Sequence, residues 1–222
     1  MVRKRILRAL MFLAAALPVF VVGLAPAAHA VATSLDFNIS GIGSEGMICW
    51  DGPGTALTGT SIQVSQITAN NGQSLGITGG VLTFTSGANI GWSNGDWTFG
   101  PGGTISITGN IGLGSGTETL LSGTFTSAEV ILVSGTQYQI TIGGITNTNA
   151  TDLTTDFGMP SGQYVGAITA TTLEGSVSGS WFTCDTALSG DVTDDPVPLP
   201  AAGLLFAPGL AGLIAMRKRL RV

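Results

Sequence analysis

In several stretches between glycine-rich clusters the chain alternates apolar and polar residues with a period of two. Leu35, Phe37 and Ile39 are apolar and their neighbours polar; Ile105 and Ile107 repeat the pattern, as do Tyr138, Ile140 and Ile142. Successive side chains of an extended strand point to opposite faces, so this period gives one apolar face and one wet face. Threonine fills many of the wet positions, where its β-branched side chain suits a pleated surface. Short clusters punctuate the strands: Gly52-Pro53-Gly54, Asn70-Asn71-Gly72, Gly79-Gly80, Ser93-Asn94-Gly95-Asp96, Gly100-Pro101-Gly102-Gly103, Gly114-Ser115-Gly116 and Gly143-Gly144. No stretch of this region keeps a helical period. The pattern predicts about ten short strands in an all-β fold, a single antiparallel β-sandwich or jelly-roll-like domain over residues 31–187.

Composition alone points elsewhere. Residues 31–200 contain 30 Gly, 28 Thr and 18 Ser, which is also the make-up of a disordered linker, so the periodicity decides in favour of a fold. The tetrapeptide Thr-Phe-Thr-Ser occurs twice, at Thr83–Ser86 and Thr124–Ser127, and reads as two strands sharing a threonine-rich alphabet.

The two ends are built differently. Arg3, Lys4, Arg5 and Arg8 precede an apolar stretch and the small-residue run Ala28-His29-Ala30, the layout of a secretory signal peptide over 1–30 with cleavage after Ala30. Residues 188–200 are acidic and end in prolines, and read as an extended linker. Residues 201–216 are uncharged and precede Arg217, Lys218, Arg219 and Arg221, so 201–222 reads as a transmembrane segment with a basic tail. As a helix, 201–216 reaches roughly 24 Å against a hydrocarbon core of about 30 Å. Leu199, Leu220 and snorkelling arginines extend that reach, while Pro208-Gly209 weakens the segment as a permanent anchor. The basic tail belongs on the cytoplasmic side.

Charge sorts the same way. All 8 Lys and Arg and the single His lie in the terminal segments, whereas all 13 Asp and Glu fall between Val31 and Met216. Phosphate backbones have no cation to meet there, which excludes nucleic acid as a partner. Without imidazole or amine, nucleophilic triads, His-based zinc sites and Schiff-base chemistry are excluded too. No cofactor is expected. Asp152 with Asp156, and Asp191 with Asp194 and Asp195, are the densest acidic clusters; neither follows a calcium-loop pattern, and they read as solvated charge with no metal site.

Cys49 and Cys184 are the only cysteines, and an even count in an exported chain predicts a disulfide. Of the four tryptophans, Trp50 and Trp181 read as core, Trp50 against the disulfide. Trp92 and Trp97 flank the Ser93–Asp96 turn and are candidate glycan contacts through their ring faces. A carbohydrate-binding module for extracellular polysaccharide is therefore an alternative to a purely structural role. A carboxylate-dependent glycoside hydrolase is a more remote one, because no motif singles out two of the acids.

Val197-Pro198-Leu199-Pro200-Ala201, followed by an apolar segment and Arg217-Lys218-Arg219, resembles the PEP-CTERM sorting signal in its VPLPA form. The resemblance covers Val197 to Arg221, with Leu199 where the commonest form has Glu. It implies a Gram-negative, polysaccharide-producing bacterium, transient residence in the inner membrane, and an exosortase-type processing enzyme as partner. The cargo would then be a non-enzymatic protein of the cell surface or biofilm matrix.

Overall fold

The computed structural model describes residues 33–40, 46–114, 116–135, 137–173, 177–178, 181–182 and 184–197. The leader with Ala30, and everything from Pro198 onward including Leu199, Pro200, Ala201, Arg217, Lys218, Arg219 and Arg221, lies outside these residues. Among the described residues no helix is long and apolar enough to cross a membrane.

The alternation becomes strands: β1 (Leu35–Ser40), β2 (Met47–Trp50), β3 (Ala56–Ala69), β4 (Ser74–Gly76), β5 (Thr78–Ser93), β6 (Asp96–Phe99), β7 (Gly103–Asn110), β8 (Glu118–Phe125), β9 (Ser127–Ser134), β10 (Gln137–Asn149), β11 (Tyr164–Leu173), β12 (Val177–Ser178), β13 (Trp181–Phe182) and β14 (Asp185–Pro196). One short helix, α1 (Thr151–Asp156), joins β10 to β11. The expected all-β, antiparallel fold is therefore present.

The pairing closes on itself. β1 pairs with β3, β3 with β5, β5 with β7, β7 with β8, β8 with β10, β10 with β11, β11 with β14, and β14 with β1, all antiparallel. A second circuit substitutes β2 for β1, β6 for β7 and β9 for β8. Three of the eight staves are thus two short strands laid end to end, and the result is a closed meander in place of the expected two facing sheets. Closure pairs both edges of each stave, which removes the open edge that would otherwise invite strand addition.

Inward positions are apolar. Ile142, Ile168, Val192, Phe37 and Ile67 are successive register partners across β10, β11, β14, β1 and β3, and all are buried. Thr85, Thr104, Thr124 and Thr146 are likewise register partners, on the exposed face. At two inward positions glycine makes room for an aromatic ring. Gly59 pairs with Phe84 and Gly103 with Phe125, and a Cβ on either glycine would lie 2.2 Å from the partner's ring.

One boundary is corrected. Residues 188–196, expected as the start of a linker, belong to β14, which pairs with β11 on one edge and with β1 and β2 on the other. Ala187, Val192, Asp194 and Pro196 are buried positions of this strand, and Asp194 inside together with Asp191 and Asp195 outside makes it read as acidic and solvated.

Candidate functional site: an aromatic rim and a buried carboxylate

The register defines two ends of the closed sheet. One holds β2, β6, β9 and the start of β10; the other holds the end of β10, α1, the start of β11 and the end of β14.

At the first end the core is aromatic. Trp50 meets Trp97 edge-on with ring centroids 6.2 Å apart and Phe99 at 5.8 Å, and Trp97 meets Tyr138 at 5.8 Å. Edge-to-face contacts of this kind set the electropositive ring edge against the electronegative face. Next to Trp50, Cys49 forms a disulfide with Cys184 across 135 residues. The pairing of Ile48 with Asp185 and Met47 with Thr186 places the two cysteines opposite each other, so the bond fastens β2 to β14 where the circuit closes. Trp50 is buried and its ring meets core aromatics, while Cys49 is only half-buried. The side chain of Trp181 lies outside the described residues.

The two candidate glycan contacts part company. Trp97 is 1% exposed, so its ring is core and unavailable to a ligand. It sits in β6, where it and Phe99 alternate inward. Trp92 is 52% exposed at the end of β5. Beside it lies an open groove of about 280 Å³, lined by Trp50, Pro53 and Gly54 on one wall and Asn89, Ile90 and Trp92 on the other. Ile90 is also strongly exposed. The register of β5 against β6 shifts between Asn89 and Gly91, a bulge that turns Ile90 outward.

Both walls are tied down. The Thr55 amide donates to the Gly52 carbonyl at 3.1 Å, and the Asn89 amide donates to the Thr55 carbonyl at 2.8 Å. Asn89 Nδ2 bridges the bulge, donating to the Gly91 and Thr98 carbonyls at 3.0 Å each. The groove is consequently formed before any ligand arrives.

At the other end a carboxylate is buried. Asp194 is 0% exposed and accepts from Asn147 Nδ2 at 2.8 Å and from Asn149 Nδ2. The carboxylate reaches β10 from β14 across β11, where its register partner is Gly166 and no side chain intervenes. Burial pushes its pKa up to about 6; the amides of Asn149 and Asn147 pull it down, and Asp195 adds a smaller upward push. Tyr164, itself raised by burial and by Asp194, donates its hydroxyl to the Pro160 carbonyl. The acidic cluster expected at Asp191, Asp194 and Asp195 is split by strand alternation, since Asp194 points inward and the other two outward. On the outer face Asp36 has a raised pKa from burial, then from Asp191 and Asp195. Asp156 accepts from Gln73 Nε2 at 3.0 Å. Among the described residues no group of three or more acidic, histidine or cysteine side chains is arranged to hold a metal ion.

A raised carboxyl is the profile of a general acid, but a fully buried one offers a substrate no approach. Sequence reasoning missed Asp194 as a buried residue because a run of Asp-Asp-Pro resembles solvated punctuation. The signal that finds it is the period-two spacing from Val192. Val197 follows β14 directly, 46% exposed, with its amide donating to the Gln163 carbonyl at 3.3 Å. Compared with protein-family models, with curated proteins and with solved structures, the chain matches none.

Proposed function

We propose that this is an exported, non-enzymatic protein of the cell surface or biofilm matrix, delivered through its VPLPA-type C-terminal signal. The observation that carries the reading is the Cys49–Cys184 disulfide, because such bonds persist in oxidising compartments and are rare in the cytosol. The segregation of charge supports it: the 8 cationic side chains lie at the two ends, and the 13 acids lie between them. An export leader and a positive-inside stop account for the cations.

On this reading the leader is removed after Ala30. The segment 201–222 holds the protein in the inner membrane of a Gram-negative cell until an exosortase-type enzyme acts at Val197–Ala201. The anionic, threonine-rich barrel is then released to the surface or matrix. Mass spectrometry of the mature protein tests this. A new N-terminus at Val31 and loss of Arg217 to Val222 are expected; a chain retaining that tail in the inner membrane refutes the delivery route.

A further inference from the structure

We infer that the groove beside Trp92 is a binding site for a hexosamine unit of an amine-bearing glycan. The inference stands apart from the delivery route, since it uses only the folded barrel.

Three observations converge on it. The first is the exposed aromatic. Trp92 shares a register pair with the core residue Trp97, yet it remains 52% exposed. An indole left half in water and lining a groove offers part of an electronegative ring surface to a ligand. The axial C–H groups of a pyranose carry partial positive charge and match such a face, and an ammonium matches it better still.

The second is size and rigidity. About 280 Å³ is just below the usual range of small-molecule sites, roughly 300–1,000 Å³, and suits a single sugar ring of a longer chain. The backbone ties from Asn89 to Thr55 and from Thr55 to Gly52 fix the two walls, so little ordering entropy opposes binding. Asn89 spends both amide hydrogens on the Gly91 and Thr98 carbonyls, which aims its Oδ1 elsewhere as an acceptor.

Charge is the third and selects the class of sugar. Asp51 lies between Trp50 and Pro53 of one wall, and Asp96 pairs with Ser93 on the face of the hairpin opposite Trp92; both are exposed and add negative field around the groove without lining it. Nowhere between Val31 and Met216 is there a cation to oppose them. A uronic or phosphorylated glycan would be repelled, a neutral one tolerated, and one with free amines attracted.

The test is titration calorimetry of the purified protein with three oligosaccharides of equal length: glucosamine, N-acetylglucosamine and galacturonate oligomers. Glucosamine oligomers are expected to bind tightest, with acetylated ones weaker and galacturonate ones showing no heat. Trp92→Ala should weaken glucosamine binding at least about ten-fold, and Trp92→Phe should keep most of it. An unchanged melting temperature shows that the variants are folded. Unaltered affinity in Trp92→Ala would mean that the polyanion attracts polycations without a site, and overturns the inference. Acetylated or galacturonate oligomers binding as tightly as glucosamine ones would overturn it equally.

Discussion

Trp92 and Trp97 face each other across the β5–β6 hairpin, but the first is 52% exposed and the second 1%. The turn between them, Asn94-Gly95, has positive φ at both residues, 51° and 93°. That is the two-residue geometry whose twist matches antiparallel strands. Register neighbours share a face, so Trp92 stands at the rim of the surface whose interior Trp97 fills.

The difference sets opposite expectations for the two residues. Trp97→Ala removes a ring packed on Trp50 and Tyr138 and should cost about 3–5 kcal/mol. Trp92→Ala should cost less than about 1 kcal/mol. Urea denaturation of both variants measures this, and equal losses would contradict the burial difference.

How much of this was legible in the sequence follows from what alternation records. Leu35, Phe37 and Ile39, or Ile105 and Ile107, announce strands because each inward residue is apolar. Closure was not legible, because alternation gives the face of a residue and not the identity of its neighbouring strand. β14 was obscured by Asp194, a carboxylate at an inward position. The Trp92 and Trp97 pair looked alike because both flank the turn and share a face; Trp97 is covered by Trp50 and Tyr138, whereas Trp92 stands at the rim. The Thr-Phe-Thr-Ser echo acquires a cause. Phe84 and Phe125 both point inward over a glycine of the preceding stave, while the threonines before them point out.

Those glycines give a second expectation. Gly103→Ala places a methyl 2.2 Å from the Phe125 ring, and Gly59→Ala does the same to Phe84. Each ring must leave its rotamer or push its strand, at a cost of about 1–3 kcal/mol. Because the clash needs the ring, Gly103→Ala should cost far less in a Phe125→Leu background. A double-mutant cycle by chemical denaturation reads the coupling, and strict additivity would show that the two residues do not meet.

Reduction of Cys49–Cys184 is the third. A bond closing a loop of this length restricts the unfolded chain strongly, so its loss should lower stability by about 4–5 kcal/mol. The native state should loosen locally as well. Only Ile48 and Met47 pair β2 with β14, whereas ten register pairs join β14 to β11. Hydrogen exchange in the reduced protein should therefore rise first at residues 47–50, with β11 protected. Uniform acceleration across both would mean that the staple supports the whole barrel.

The last concerns pH and rests on Asp194. In the folded chain its carboxyl titrates at about 6 against an ordinary 3.8, with burial as the leading cause. Two neighbouring acceptors, Oδ1 of Asn147 and Oδ1 of Asn149, are buried without a hydrogen-bond partner among the described residues. The pocket is therefore polar but incompletely satisfied, and an ionised carboxylate is costly there. Between the unfolded and folded pKa values the native state holds a proton that the unfolded chain has released. Stability must then fall as pH rises across that window, and it is greatest on the acidic side. The span from 3.8 to about 6 corresponds to about 3 kcal/mol. Of the titratable groups around it, Asp195 repels the charged form, and the Tyr164 phenol and the Asp36 carboxyl are themselves raised. Urea midpoints should therefore rise on acidification from about pH 7 to about pH 4.5, opposite to a protein held by paired carboxylates. Asp194→Asn keeps the shape, removes the charge and should flatten most of that slope, whatever it does to stability at any one pH. A variant that retains the full slope would assign the effect to Asp36 on the outer face, whose carboxyl is raised by burial and by the charges of Asp191 and Asp195.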